Sequence, residues 1–145
     1  SDDIKLYELE KLIEESDFIT VHIPLTVDTK NLFDYNMLSK MKKEARIINV
    51  ARGGIINESD LAEILKEGKI AGAALDVFEQ EPLSKSSPLL KAPNIILTPH
   101  LGGSTKEAKE GVSTAICNQI SNYLINEELE NEVVKLANKI SSKSF

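Results

Sequence analysis

The chain has 145 residues, 41% of them hydrophobic and 28% charged, with a formal net charge of −6. That length suits one domain with one core, and the acidic balance weighs against nucleic acid as a partner, because such binders carry a basic face. No apolar run reaches the roughly 18 residues of a membrane span, the start Ser1-Asp2-Asp3-Ile4-Lys5 is not a signal peptide, and the single cysteine, Cys117, excludes an internal disulfide, so no membrane partner and a reducing, cytoplasmic setting are expected.

Two periodicities alternate along the chain. Leu6, Leu9, Leu12 and Ile13 recur at helical spacing among Glu and Lys. Phe18 to Ile23 is short, β-branched and mostly apolar, and Pro24 ends it, which is the pattern of a buried strand. Met37, Leu38 and Met41 read as a helix. Arg46 to Ala51 reads as a second strand, stopped by Gly53-Gly54. Asn57-Glu58-Ser59-Asp60 then offers N-cap oxygens to a helix with Leu61, Ile64 and Leu65 on one stripe. Gly68 is placed to end that helix in the left-handed conformation.

Ala71 to Phe78 reads as a third strand, fully buried by its composition, and Asn94 to Thr98 as a fourth, closed by Pro99. The segment Glu79 to Pro93 between them holds three prolines and three serines, which makes it an excursion rather than a tight turn. A long amphipathic helix is expected from Ser104 to about Asn126, opened by a Ser104–Glu107 capping box, with Cys117 as a small buried hydrophobe. After a break at Glu127-Glu128, a helical tail completes residues 127–145. Alternating strands and helices predict an α/β fold with a parallel sheet, covered on both faces.

Ligands of such sheets bind beyond the carboxyl ends of the strands. Here those ends carry His22-Ile23-Pro24, Ala51-Arg52-Gly53-Gly54, Asp76 to Pro82, and Pro99-His100-Leu101-Gly102-Gly103. Arg52, Asp76, Glu81 and His100 should therefore meet at one edge. Taken singly, Arg52 could equally be a surface ion-pair partner, Glu81 a solvated carboxylate, and Gly102-Gly103 a plain loop entering a helix. Taken together they fit a 2-hydroxy or 2-oxo acid. The Arg52 guanidinium is a fork for the substrate carboxylate, His100 can pass a proton, and Glu81 can orient the ring. Nothing in the set is a redox agent, so residues alone support only proton transfer on such an acid. No metal site is expected.

Joined in order, Val21-His22-Ile23-Pro24-Leu25, Thr29-Lys30-Asn31, Ile48-Asn49-Val50-Ala51-Arg52-Gly53-Gly54, Ala73-Ala74-Leu75-Asp76-Val77-Phe78-x-x-Glu81-Pro82 and Leu97-Thr98-Pro99-His100 resemble the D-isomer-specific 2-hydroxyacid dehydrogenases. The resemblance covers about residues 4 to 126. The stretch from His100 to Ala108 is most similar to the phosphoglycerate dehydrogenase branch of that family, with glyoxylate or hydroxypyruvate reductases and NAD-sensing corepressor-type modules as alternatives on the same fold. The resemblance implies NAD as cofactor and a small 2-hydroxyacid or 2-oxoacid as substrate. It implies Arg52, Glu81 and His100 as the catalytic set. His22, Pro24, Val50, Ala51, Arg52, Asp76, His100, Gly102 and Gly103 would line the cofactor cleft, with Asp76 on the nicotinamide side.

One departure bears on all of this. The family's Gly-x-Gly-x-x-Gly turn has no counterpart, since Gly53, Gly54, Gly68, Gly72, Gly102, Gly103 and Gly111 never take that spacing. The expectation is therefore the second half of a Rossmann-like doubly wound sheet with a long C-terminal helix. Residues 1–126 would be part of an NAD-binding domain, including an exit helix from about 104. Such a fragment, inactive alone, would associate as a homodimer or with a missing N-terminal half, because it leaves apolar sheet and helix surface uncovered.

Overall fold

Phe18–Val21 (β1), Arg46–Asn49 (β2), Gly72–Leu75 (β3) and Ile95–Leu97 (β4) form one four-stranded parallel sheet, in the order β1-β2-β3-β4. The structure is a computed structural model that describes residues 4–128. It divides into two units between Gly102 and Gly103. In the first unit Phe18 pairs with Arg46, Ile47 with Ala73, and Leu75 with Leu97. Each crossover steps to the next position in the same direction, as in one half of a doubly wound sheet.

The strands are shorter than their apolar runs suggest. His22-Ile23 and Val50-Ala51 lie beyond β1 and β2, and Val77 and Phe78 are buried but lie past the end of β3. Parallel pairing stops where the chains diverge into separate loops, while burial continues for a few residues. Burial alternates along β1 and β2. Ile19, Val21, Ile47, Ala73 and Leu75 point into the core, where they join Ile13, Leu38, Leu61, Ile64 and Leu65 from the helices. Each Val, Leu and Ile among them contributes about 1.5–3 kcal/mol relative to exposure.

The expected two-sided covering is corrected. Within the first unit only one face of the sheet is packed. On the other face Phe18 is 65% exposed and Ile96 67% exposed, and Ile48 and Ala74 are half-buried. Thr20 and Arg46 on that face were the available signs, but Phe18, Ile48, Ala74 and Ile96 outnumber them.

Leu9–Glu15 (α1), Tyr35–Ser39 (α2) and Glu58–Lys66 (α3) belong to the first unit. Leu6 lies before α1 and is exposed, whereas Met41 is buried just after α2. Asn57 caps α3, its Oδ1 accepting from Ser59 N and Asp60 N, both at 3.1 Å. Gly68 follows with φ +65°, the left-handed residue expected there. The Glu79–Pro93 excursion contains a 3-10 turn, Pro88–Lys91, whose Leu89 is fully buried. Leu89 anchors the excursion to the core, and Leu83 and Ala92 of the same segment pack against it.

The second unit contributes Lys106–Asn126 (α4). The cap is Thr105, whose Oγ1 accepts from Ala108 N at 3.1 Å. This corrects the Ser104–Glu107 capping box by one residue, since either hydroxyl could serve and the helix phase selects Thr105. Val112, Ile116, Ile120 and Tyr123 recur at helical spacing but are exposed, and no residue of α4 is buried. Cys117 is accordingly an exposed thiol, not the buried hydrophobe expected from its apolar neighbours. Glu127 ends α4 in the left-handed conformation, φ 55°. Most of the expected tail, 129–145, lies outside the described residues.

Candidate functional site at the carboxyl edge of the sheet

Asn49, the last residue of β2, is only 2% exposed, and its amide shapes the turn that carries Arg52. Its Oδ1 accepts from Ala51 N at 3.0 Å, and its Nδ2 donates to Arg52 O at 2.9 Å. Gly53 follows at a close approach, since a Cβ there would stand 1.9 Å from Phe78 O. Only glycine admits that contact, which lays the Arg52 turn against the exit of β3. The Arg52 side chain is exposed and spends one donor on Ala51 O at 2.7 Å. The rest of its fork is open to a carboxylate.

Beyond β3 the chain turns at Val77-Phe78 to bring Glu81 back. Glu81 Oε1 accepts from Phe78 N at 3.0 Å, and Oε2 lies 2.7 Å from His100 Nδ1. An ionised carboxylate only accepts, so Nδ1 carries the donated hydrogen and Nε2 is left to face outward. No hydrogen bond to Nε2 occurs among the described residues. The bond from His100, reinforced by that from Phe78 N, holds the Glu81 carboxyl below its usual range, against a smaller opposing effect of burial.

Asp76 is 7% exposed and serves the same loop from beneath. Its Oδ1 accepts from Thr98 Oγ1 at 2.5 Å and from Leu101 N at 2.8 Å, and its Oδ2 from Gly102 N at 2.9 Å. Burial pushes this carboxyl up. The hydrogen bonds from Thr98, Leu101 and Gly102, with the His100 charge, outweigh burial and hold it below the usual range.

On the near side of this edge, His22, Ile23, Pro24, Leu25, Val50, Ala51 and Arg52 line a cleft of about 720 Å³. His22 Nε2 shares a hydrogen bond with Thr20 Oγ1 at 2.8 Å. A second, largely apolar recess of about 490 Å³ lies beside the His100–Glu81 pair, walled by Phe78, Pro82, Leu83, Leu97 and Pro99. Among the described residues no group of His, Cys, Asp and Glu could hold a metal ion, and no helix is long and apolar enough to cross a membrane.

Residues 1–102 match the family model described as D-isomer specific 2-hydroxyacid dehydrogenase, NAD binding domain. The chain belongs to this family.

A D-3-phosphoglycerate dehydrogenase of Methanocaldococcus jannaschii is 48% identical over 126 residues, covering 87% of this chain and 24% of that protein. A glyoxylate reductase of Thermofilum pendens is 50% identical over 103 residues, covering 71% of this chain and 30% of that protein. Among solved structures, a glyoxylate reductase from Paecilomyes thermophila superposes with a TM-score of 0.81 at 32% identity, covering 91% of this chain and 40% of that one. The chain thus spans between a quarter and two-fifths of the length of these relatives.

As a 2-hydroxyacid dehydrogenase NAD-binding domain, the chain holds its sequence-expected residues in three groups. Glu81 and His100 are bonded to each other, Asp76 is bonded to the His100 loop through Leu101 and Gly102, and Arg52 shares the cleft with His22, Pro24, Val50 and Ala51. Gly103 opens the second unit. Pro24, Val50 and Ala51 give the cleft an apolar wall that would suit a flat ring of the family's NAD(P) cofactor. Two contributors escaped the sequence reading, Asn49 and Thr98. A buried Asn closing an apolar strand was the available signal for the first. Thr98 gave none, because threonine is an ordinary strand residue.

Proposed function

We propose that this carboxyl edge performs D-2-hydroxyacid oxidoreduction with NAD, and that the preferred substrate is 3-phosphoglycerate, oxidised to 3-phosphohydroxypyruvate. The observation that carries the reaction type is the His100 Nδ1–Glu81 Oε2 bond of 2.7 Å, with Nε2 left to work. Arg52 binds the substrate carboxylate through its open guanidinium donors and polarises the C2 oxygen. His100 Nε2 takes the hydroxyl proton as C2 is oxidised, and returns it in the reverse direction. Glu81 stabilises the imidazolium so formed and fixes the tautomer. His22, Pro24, Val50 and Ala51 would hold NAD, which would supply the hydride acceptor.

The cofactor reading assigns His22, Pro24, Val50, Ala51, Arg52, Asp76, His100, Gly102 and Gly103 to the cofactor cleft, with Asp76 on the nicotinamide side. Residues 1–126 would make up part of an NAD-binding domain in a cytoplasmic protein. The bare sheet face bearing Phe18 and Ile96 gives the chain an apolar surface for a homodimer. The substrate reading is supported by the 48% identity to the Methanocaldococcus jannaschii protein over most of the chain. A glyoxylate or hydroxypyruvate reductase is the second reading, favoured by the 50% identity to the Thermofilum pendens protein.

The test is NADH absorbance with 3-phosphoglycerate, glyoxylate and hydroxypyruvate offered in turn to the chain joined to a family N-terminal portion. The chain alone is expected to be inactive. Faster turnover of 3-phosphoglycerate supports the first reading, and faster turnover of glyoxylate selects the second. Unchanged turnover on His100→Asn would sink both.

A further inference from the structure

His100 has φ +54°, a left-handed position that costs a non-glycine residue free energy and persists only where its surroundings enforce it. The surroundings are specific. His100 N donates to Thr98 O at 3.0 Å, closing a tight turn over Pro99. The next two amides, Leu101 N and Gly102 N, both point at the Asp76 carboxylate. The carboxylate is itself immobilised, because Thr98 Oγ1 donates to Oδ1. Both ends of this arrangement are tied to the sheet. Asp76 N donates to Asn49 O at 3.0 Å, and Thr98 N donates to Leu75 O at 3.0 Å.

We propose that Thr98 is a positioning residue whose hydroxyl orients Asp76, so that the carboxylate latches the Leu101 and Gly102 amides and holds His100 in its left-handed position. Without the hydroxyl, the carboxylate keeps two loop amides but gains freedom about its own side-chain torsions. The loop then loses the fixed acceptor that offsets the backbone strain at His100. The Glu81–His100 bond acts on the ring, whereas the latch acts on the backbone, so the two constraints are separate. The value of the latch to catalysis rests on the reading of His100 as proton carrier, but the latch itself can be observed without turnover.

Amide hydrogen exchange on the 145-residue chain tests it. Thr98→Val keeps the shape of the side chain and removes the hydroxyl. Leu101 and Gly102 should then exchange about tenfold faster or more relative to Ile47 and Ala73 in the sheet, which correct for any general loosening. Thr98→Ser should restore slow exchange. In Asp76→Asn, one carboxylate oxygen becomes a donor group, so at least one of the two loop amides should be released. Equal loop-to-sheet exchange ratios in the parent chain and Thr98→Val would overturn the proposal, as would a failure of Thr98→Ser to restore the ratio. A negative result falls on the latch alone and leaves the dehydrogenase reading to its own substrate test.

Discussion

Glu81 offers its two carboxylate oxygens to different masters, Oε2 to His100 Nδ1 at 2.7 Å and Oε1 to Phe78 N at 3.0 Å. The backbone bond fixes the carboxylate, and the fixed carboxylate then fixes the ring. Glu81→Gln keeps the size and the Phe78 bond but removes the charge that favours an imidazolium. In the chain joined to a family N-terminal portion, we expect a fall in kcat with a smaller change in KM, together with a shift in the pH dependence of kcat/KM, both measured by NADH absorbance. Equal pH profiles for parent and variant would count against the pairing.

His100 and Arg52 should separate by kinetic signature. Loss of a general acid–base costs about 10²–10⁴-fold, so His100→Asn should lower kcat by that amount. Arg52→Ala removes donors to a charged group, worth about 1.5–3 kcal/mol, and should raise KM as well as lower kcat. An Arg52→Ala enzyme with parental KM would remove Arg52 from the substrate carboxylate.

Asp76 links the site to acid stability. Its folded-state carboxyl is held below the usual range, so its contribution is present above the ordinary carboxylate value of about 3.9 and is lost as pH falls through the lowered folded value. Denaturant midpoints measured from neutral pH downward should therefore fall more steeply for the parent than for Asp76→Asn. At neutral pH the variant should be less stable by about 1–3 kcal/mol, the usual cost of disturbing a buried, bonded group. Parallel curves would refute the linkage.

Gly53 gives a structural prediction with a local readout. A Cβ at this position meets the Phe78 carbonyl at 1.9 Å, which backbone on either side must relieve by moving. Gly53→Ala should cost at least the roughly 1–3 kcal/mol of an overpacked site, and it should impair Arg52 and Glu81 function together because it parts their loops. A thermal melt alongside kinetics checks both.

Much of this was legible in the residues. Pro24, Gly53-Gly54 and Pro99 mark where strands give way to loops, so the convergence of four loop ends followed from the alternation of periods. The Glu81–His100 bond was expected from the shared strand edge and the family resemblance rather than from any spacing. The partners are nineteen positions apart, and no spacing rule connects two loops that meet only in three dimensions. The exposed sheet face was hard to read for a different reason, since Thr20 and Arg46 are outnumbered there by Phe18, Ile48, Ala74 and Ile96. Thr98 was hidden by its double nature, a β-branched strand residue whose hydroxyl matters only once Asp76 lies beside it.

The chain has two histidines, and each has its own partner, Thr20 for His22 and Glu81 for His100. Nature has thereby supplied a pair of built-in reporters. Each contributes one Hε1 line, the His22 line from the cleft beside Pro24 and Val50 and the His100 line from beside the apolar recess. A molecule that perturbs the His22 line alone has entered the cleft beside Pro24 and Val50, and one that perturbs the His100 line alone has reached the recess beside Glu81. Occupancy of either compartment can thus be followed in unlabelled protein, before any turnover is observed.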